Sequence, residues 1–263
     1  MSLSKHRVRR VHVLVKAFPQ HSAKYEETVC CAGVVDDGSL IRLYPIAFRR
    51  LALPHRFTRF DQIEALITRA GSDPRPESFH VDHDSIRVVE HGSNLPDAAK
   101  VRLWQPHIVP SLEDLLSQYQ SNGRSLGIVR PDPGSARFFW RDAEPEEQDD
   151  SRGVQASFLD TPLQPLQPPE LTFFYRYTSA GKEHTQAIHD WEVQAAYLAY
   201  QRQYGSRGEA LKMMAHEYGT NMLTRNLHFI MGNMHKRPWQ FIIIGLLRSG
   251  LDPAELAKQG ALL

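Results

Sequence analysis

The chain has 263 residues, of which 41% are hydrophobic and 23% charged, and its net charge is +1. That length allows one large domain or two ordinary ones with a sizeable core, and the composition excludes wholesale disorder. A net charge so near zero excludes chain-wide attraction to a polyanion, so any nucleic-acid contact has to come from local basic patches.

In chain order, residues 11–15 read as a strand ending at Phe18-Pro19. Residues 28–35 and 40–44 flank Asp36-Asp37-Gly38, a hairpin signature. Residues 57–68 fit a strand or a short helix, residues 73–78 form a proline-punctuated loop, and residues 84–90 alternate as a strand does. Residues 111–119 read as a helix capped by Ser111, with Leu112, Leu115, Leu116 and Tyr119 on one face. Residues 125–129 are a further strand.

Residues 142–170 differ in composition, with six carboxylates and then four prolines, and read as an acidic linker or an insertion. Beyond it come a strand at 171–177, helices at 190–204 and 209–218, strands at 227–231 and 241–247, and a short helix at 252–258. The expected class is α+β. A β-rich, twisted or barrel-like domain over 1–141 precedes the linker, and a smaller α/β domain with a short sheet occupies 171–263.

Cys30 and Cys31 are adjacent and have no other cysteine to pair with. Neighbouring cysteines rarely reach disulfide geometry, so the expectation is a reducing, cytoplasmic location without a cysteine-rich zinc site. The longest apolar run, 241–247, is far below the roughly 20 residues a bilayer span needs, so no membrane association is expected.

Three features point to chemistry. Lys182-Glu-His184 through His189-Asp190-Trp-Glu192 follows a strand and opens a helix, where free N–H groups gather anions and ligands. His184, Asp190 and Glu192 brought together there would hold a divalent metal or supply an acid and a base. The plainer reading makes Asp190 an N-cap, Glu192 a partner of the helix dipole and Trp191 a core anchor.

The second feature is the loop Gly232-Asn-Met-His235-Lys236-Arg237-Pro-Trp239, with Arg225, His228 and Arg248 near it in sequence. Its cations suit phosphates and Trp239 suits a base. The third is a basic N-terminal part. Lys5, Arg7, Arg9 and Arg10 form a run, and Arg42, Arg49, Arg50, Arg56 and Arg59 interleave with Tyr44, Phe48, Phe57 and Phe60. Such mixtures suit nucleic acid, or else they are core aromatics covered by arginine stems. Two His and two Asp within residues 80–84 match no standard metal-ligand spacing and read as a hydrogen-bonded loop. P-loop, dinucleotide, zincin and hydrolase-elbow motifs are absent.

Ile41-Arg-Leu-Tyr-Pro45 with Phe48-Arg49, His184 followed by Asp190-Trp-Glu192, and Gly232-Asn233 leading into Phe241-Ile-Ile-Ile-Gly-Leu together resemble a pattern of an uncharacterised prokaryotic protein family. The resemblance implies no activity. It implies cysteines just before the His, where this chain has Tyr177-Thr-Ser-Ala-Gly181, which argues against a metal knuckle. The expected function is binding of DNA or RNA as an accessory subunit of a prokaryotic nucleic-acid-processing or defence system. The alternative is a metal- or acid/base-dependent, nuclease-like hydrolase. A third reading is a structural subunit whose acidic stretch docks a protein partner.

Overall fold

A computed structural model describes residues 7–22, 26–143, 169–234 and 237–252. The N-terminal strands are β1 (Arg7–Lys16), β2 (Gln20–Ser22), β3 (Glu26–Val35), β4 (Leu40–Ile46), β5 (Gln62–Arg69), β6 (Ser78–Val81) and β7 (Arg87–Glu90). Helix α1 (Asp97–Trp104), β8 (Ile108–Val109), α2 (Leu112–Asn122), β9 (Leu126–Val129) and β10 (Arg137–Asp142) follow. After the acidic stretch come β11 (Leu171–Ser179), β12 (Lys182–Ala187), α3 (Trp191–Tyr204), α4 (Arg207–His216), β13 (His228–Asn233) and β14 (Phe241–Leu247).

The N-terminal region is a five-stranded barrel. Pairing runs β1-β3-β4-β6-β5 and returns from β5 to β1, so no edge is left in the ring. Only the β4–β6 pair is parallel. Residues 57–68, open to helix or strand from sequence, become β5 because Ile63, Ala65 and Ile67 alternate inward with half-buried neighbours between them. Val11, Val13, Cys31, Ile41 and Leu43 complete that interior. Burial raises the thiol pKa of both cysteines, so neither is a ready thiolate. At Gly33 a Cβ would lie 2.6 Å from the carbonyl oxygen of His12, so only glycine lets β1 and β3 approach there.

The C-terminal region contains a three-stranded sheet, β10-β11-β12, and a four-stranded one, β14-β13-β9-β8, with helices packed against them. The sequence groups residues 108–141 with the barrel, yet β8 and β9 pair toward β13, and β10 pairs with β11. The change of pairing partner therefore falls between Glu90 and Ile108. The acidic stretch connects two paired strands, β10 and β11; its residues 144–168 lie outside the described residues, as does most of the helix expected at 252–258.

Helix signals read well locally. Ser111 caps α2 by accepting from the Asp114 N–H, and Gly123 closes it in the left-handed region at φ 79°. Helix α1 and strands β6, β10 and β12 were not expected from sequence. The low amphipathic contrast of α1 leaves only Val101 and Trp104 buried.

The two regions share a core. Leu14, Val15 and Val34 of the barrel pack on Ile128, Ile230 and Ile244. At Gly245 a Cβ would meet Val15 Cγ2 at 2.6 Å, so β1 lies directly on β14. Trp104 and His228 meet in this seam with ring centroids 4.9 Å apart, both almost fully buried. Burial pushes the His228 pKa down to about 4. The folded protein thus holds a neutral ring, while the unfolded chain protonates it below its ordinary 6.5. Stability is complete above pH 6.5 and falls as the pH drops toward 4, by at most about 3 kcal/mol from this one group. Urea unfolding at pH 7 and pH 4.5 is expected to show a smaller acid-side loss in His228→Phe than in the parent. Among the described residues, no helix is long and apolar enough to cross a membrane.

Candidate nucleic-acid interface

The expected acid/base trio does not assemble. Asp190 is 1% exposed and caps α3, accepting from the Glu192 N–H at 2.9 Å. Its other oxygen accepts from Arg59 at 2.8 Å and from the Leu246 N–H at 3.0 Å. A carboxylate that accepts three hydrogen bonds from the fold joins barrel, helix and β14. Glu192 is half exposed and lies 3.0 Å from Arg59. Burial works against the charge on Arg59, but Asp190 and then Glu192 more than offset it and raise its pKa.

His184 lies elsewhere. It sits on the inner face of β12 opposite Tyr177, and its Nε2 is 3.4 Å from Glu113 of α2. No interaction links it to Asp190 or Glu192. A cavity of about 110 Å³ does form beside Asp190 and Glu192, but its other walls are Glu217, Tyr218 and Arg248 rather than His184 or Arg237. No group of three metal-ligating side chains occurs among the described residues. Asp82 caps a short turn and His80 meets the Tyr44 carbonyl, as a hydrogen-bonded loop requires.

The arginines expected to grip nucleic acid are mostly committed within the fold. Arg42 is 4% exposed and donates to the Ser125 carbonyl across the seam. A buried guanidinium is withheld from a polyanion, so Arg42 is reassigned from surface contact to domain docking. Arg59 is the interdomain clasp described above. Arg49 forms a two-pronged pair with Glu27 at 2.6 and 2.8 Å. Arg56 is exposed but bonds the Leu51 and Arg49 carbonyls. Arg50 is half-buried and has a partner. Phe48 and Phe57 pack edge to face inside, with Trp191 of α3 completing the box over Lys16, whose Nζ lies 4.2 Å from the Phe48 ring. The core-aromatic alternative thus describes this segment. In the β13–β14 loop, Arg237 is exposed and Trp239 is 69% exposed, while His235 and Lys236 lie outside the described residues.

A basic aromatic surface does exist, at a place the sequence reading missed. β10 and β11 alternate so that Phe138, Trp140, Phe173, Tyr175 and Tyr177 face the core. The intervening residues face outward. Register places Phe139 opposite Phe174 and Arg137 opposite Arg176. The two phenyl rings lie side by side, centroids 5.1 Å apart and 14° from parallel. Arg141 lies 5.4 Å from the Phe139 ring and 5.2 Å from the Phe174 ring, and Arg176 lies 6.0 Å from Phe139. Among the described residues none of Arg137, Arg141 and Arg176 has a carboxylate partner. By register, Glu183 of β12 is the acidic side chain on this face. The available signal was the alternation Arg137-x-Phe139-x-Arg141 beside the strand carrying Phe174-x-Arg176.

Barrel, paired sheets and shared seam define a two-domain, β-rich α+β protein. Residues 7–105 match a family described as "Domain of unknown function (DUF8758)", and residues 108–261 match "Domain of unknown function (DUF8757)". The chain belongs to the DUF8757 family, whose match spans more than half of it. The junction between the two matches lies at residues 105–108, within the interval where strand pairing changes partners. No curated protein matches the sequence. A solved structure described as "Molecular basis for abrogation of activation of pro-inflammatory cytokines" is similar at 9% identity and a TM-score of 0.31, covering 72% of this chain and 80% of that one. A likeness that small assigns neither fold nor role.

Proposed function

We propose that the protein binds single-stranded nucleic acid on the outer face of the β10–β11–β12 sheet. The observation that carries this reading is the paired Phe139 and Phe174 rings flanked by Arg137, Arg141 and Arg176, cations with no carboxylate partner among the described residues. Phe139 and Phe174 are half-buried on the outer face; stacking on them needs bases that are not already paired, and arginine serves both as a phosphate contact and as a stacking plane. The face belongs to a three-stranded sheet, which suits an extended strand better than a duplex. The hydrolase alternative draws no support from His184, which is turned toward Glu113 and away from the carboxylates it would need.

Fluorescence anisotropy with labelled oligo-dT, oligo-U and a duplex tests this reading. Both single strands are expected to bind, the duplex more weakly, and affinity is expected to fall with salt. Replacing Arg137, Arg141 and Arg176 by alanine should reduce the slope of log K against log salt by about 2, since a single strand releases roughly 0.7 counterion per neutralised phosphate. Binding with an unchanged salt slope in that variant would remove the face from consideration.

A further inference from the structure

The barrel carries an opening that shares no residue with the stacking face. Where β1 begins and β5 ends, the ring encloses a cavity of about 430 Å³. That is within the range of small-ligand pockets, about 300–1,000 Å³. Its rim is cationic: Arg7 and Arg9 come from β1 and Arg69 from the end of β5. Its floor is apolar, formed by Ile41, Ile67 and the ring of Phe79.

The three guanidiniums are in different situations. Arg9 is paired with Asp37 of the β3–β4 turn. Asp37 is held ionised, its pKa lowered to about 2 chiefly by hydrogen bonds from Ser39 and Arg9. Arg69 donates to the Ser78 carbonyl at 2.6 Å through one nitrogen and lies 5.9 Å from the Phe79 ring. The Arg7 side chain makes no ion pair among the described residues. One carboxylate against three cations leaves the opening with an excess of two positive charges. A planar body could lie on Ile41, Ile67 and Phe79 while an anionic group met Arg7 and Arg69.

Neither half of the lining accounts for the other if the ligand is a simple ion or a simple hydrocarbon. Inorganic phosphate would leave the apolar floor facing water, and an uncharged apolar molecule would leave the rim unused. We infer that the barrel mouth binds a small organic phosphate whose planar body presents an apolar face, of the nucleoside monophosphate class. The inference stands on the lining alone and does not require strand binding by the sheet face.

The test is calorimetric titration of the full chain with 5′-AMP, adenosine and inorganic phosphate. AMP is expected to bind saturably and at least tenfold more tightly than either fragment. Arg7→Ala/Arg69→Ala should weaken AMP at least tenfold, because charge-assisted hydrogen bonds are among the stronger polar contacts. Both arginines lie at strand ends on the rim, so an unchanged unfolding transition is expected to accompany that loss. Phe139→Ala/Phe174→Ala should leave AMP binding unaltered. Any one of three results would overturn the assignment: no saturable AMP binding, parent-like binding in the arginine variant, or phosphate alone binding as tightly as AMP. Loss of AMP binding in the phenylalanine variant would place the ligand on the sheet face and equally overturn it.

Discussion

Phe139→Ala/Phe174→Ala is expected to lower affinity for oligo-dT and oligo-U by at least tenfold while the protein stays folded. Base–aromatic stacking is worth about 1–3 kcal/mol per base, and about 1.4 kcal/mol is a factor of ten. Both rings point away from the core that Phe138, Trp140, Phe173 and Tyr175 build on the other side of the same strands. Their removal therefore opens no cavity. It loses one ring pair, worth about 0.5–1.5 kcal/mol beyond its area burial, and the contacts of Arg141 and Arg176 to those rings. Phe139→Tyr/Phe174→Tyr keeps a stacking surface and is expected to restore near-parental affinity. Anisotropy together with thermal unfolding separates the outcomes. Undiminished binding in a folded alanine variant would rule out the stacking face, and tyrosine failing to rescue would rule out stacking as the mechanism.

The second large effect concerns stability. Asp190→Ala is expected to cost up to about 3–5 kcal/mol in urea unfolding, the range for removing one partner of a buried ion pair. The variant strands the Leu246 N–H and the Glu192 N–H and leaves the Arg59 guanidinium with only the half-exposed Glu192 and the Leu246 carbonyl, all at the junction of barrel, α3 and β14. A loss of that size is a large share of the stability of an ordinary domain, about 5–15 kcal/mol. Glu192→Ala should cost less than about 1 kcal/mol, because Glu192 is half in solvent and Arg59 keeps Asp190. This contrast distinguishes a clasp from an acid/base pair. If both variants fold with parental stability, Asp190 does not hold the domains together.

The residues flagged at the start of α3 show why chemistry and capping look alike in a sequence. Asp190 followed by Trp191-Glu192 was legible as a helix start, and α3 begins there. Whether the carboxylate served substrate or backbone depended on Arg59, which lies 131 residues earlier, and on the Leu246 N–H, 56 residues later. His184 was read in sequence beside Asp190, but the β11–β12 register turns its ring inward toward Tyr177 and Glu113. The arginines of residues 42–59 carry the same lesson. Their interleaving with aromatics was visible, but their partners Glu27, Asp190 and Ser125 were not.

What the sequence determined by itself is local. Short apolar runs marked β1, β3 and β4 of the barrel, Asp37-Gly38 set the β3–β4 turn, and Ser111, Ser206 and Asp190 set three helix starts through side chains that bond nearby backbone. The tertiary structure decided everything that depends on distant pairing. It closed β1 onto β5 as a barrel, moved β8, β9 and β10 to the C-terminal sheets, and committed Arg42, Arg49 and Arg59 to partners inside the fold. It also set Phe139 beside Phe174 under Arg141 on an open face. The physical reason is range. Capping and alternation are written within a few residues of one another, whereas the availability of a charge or a ring to solvent depends on which remote segment comes to lie against it.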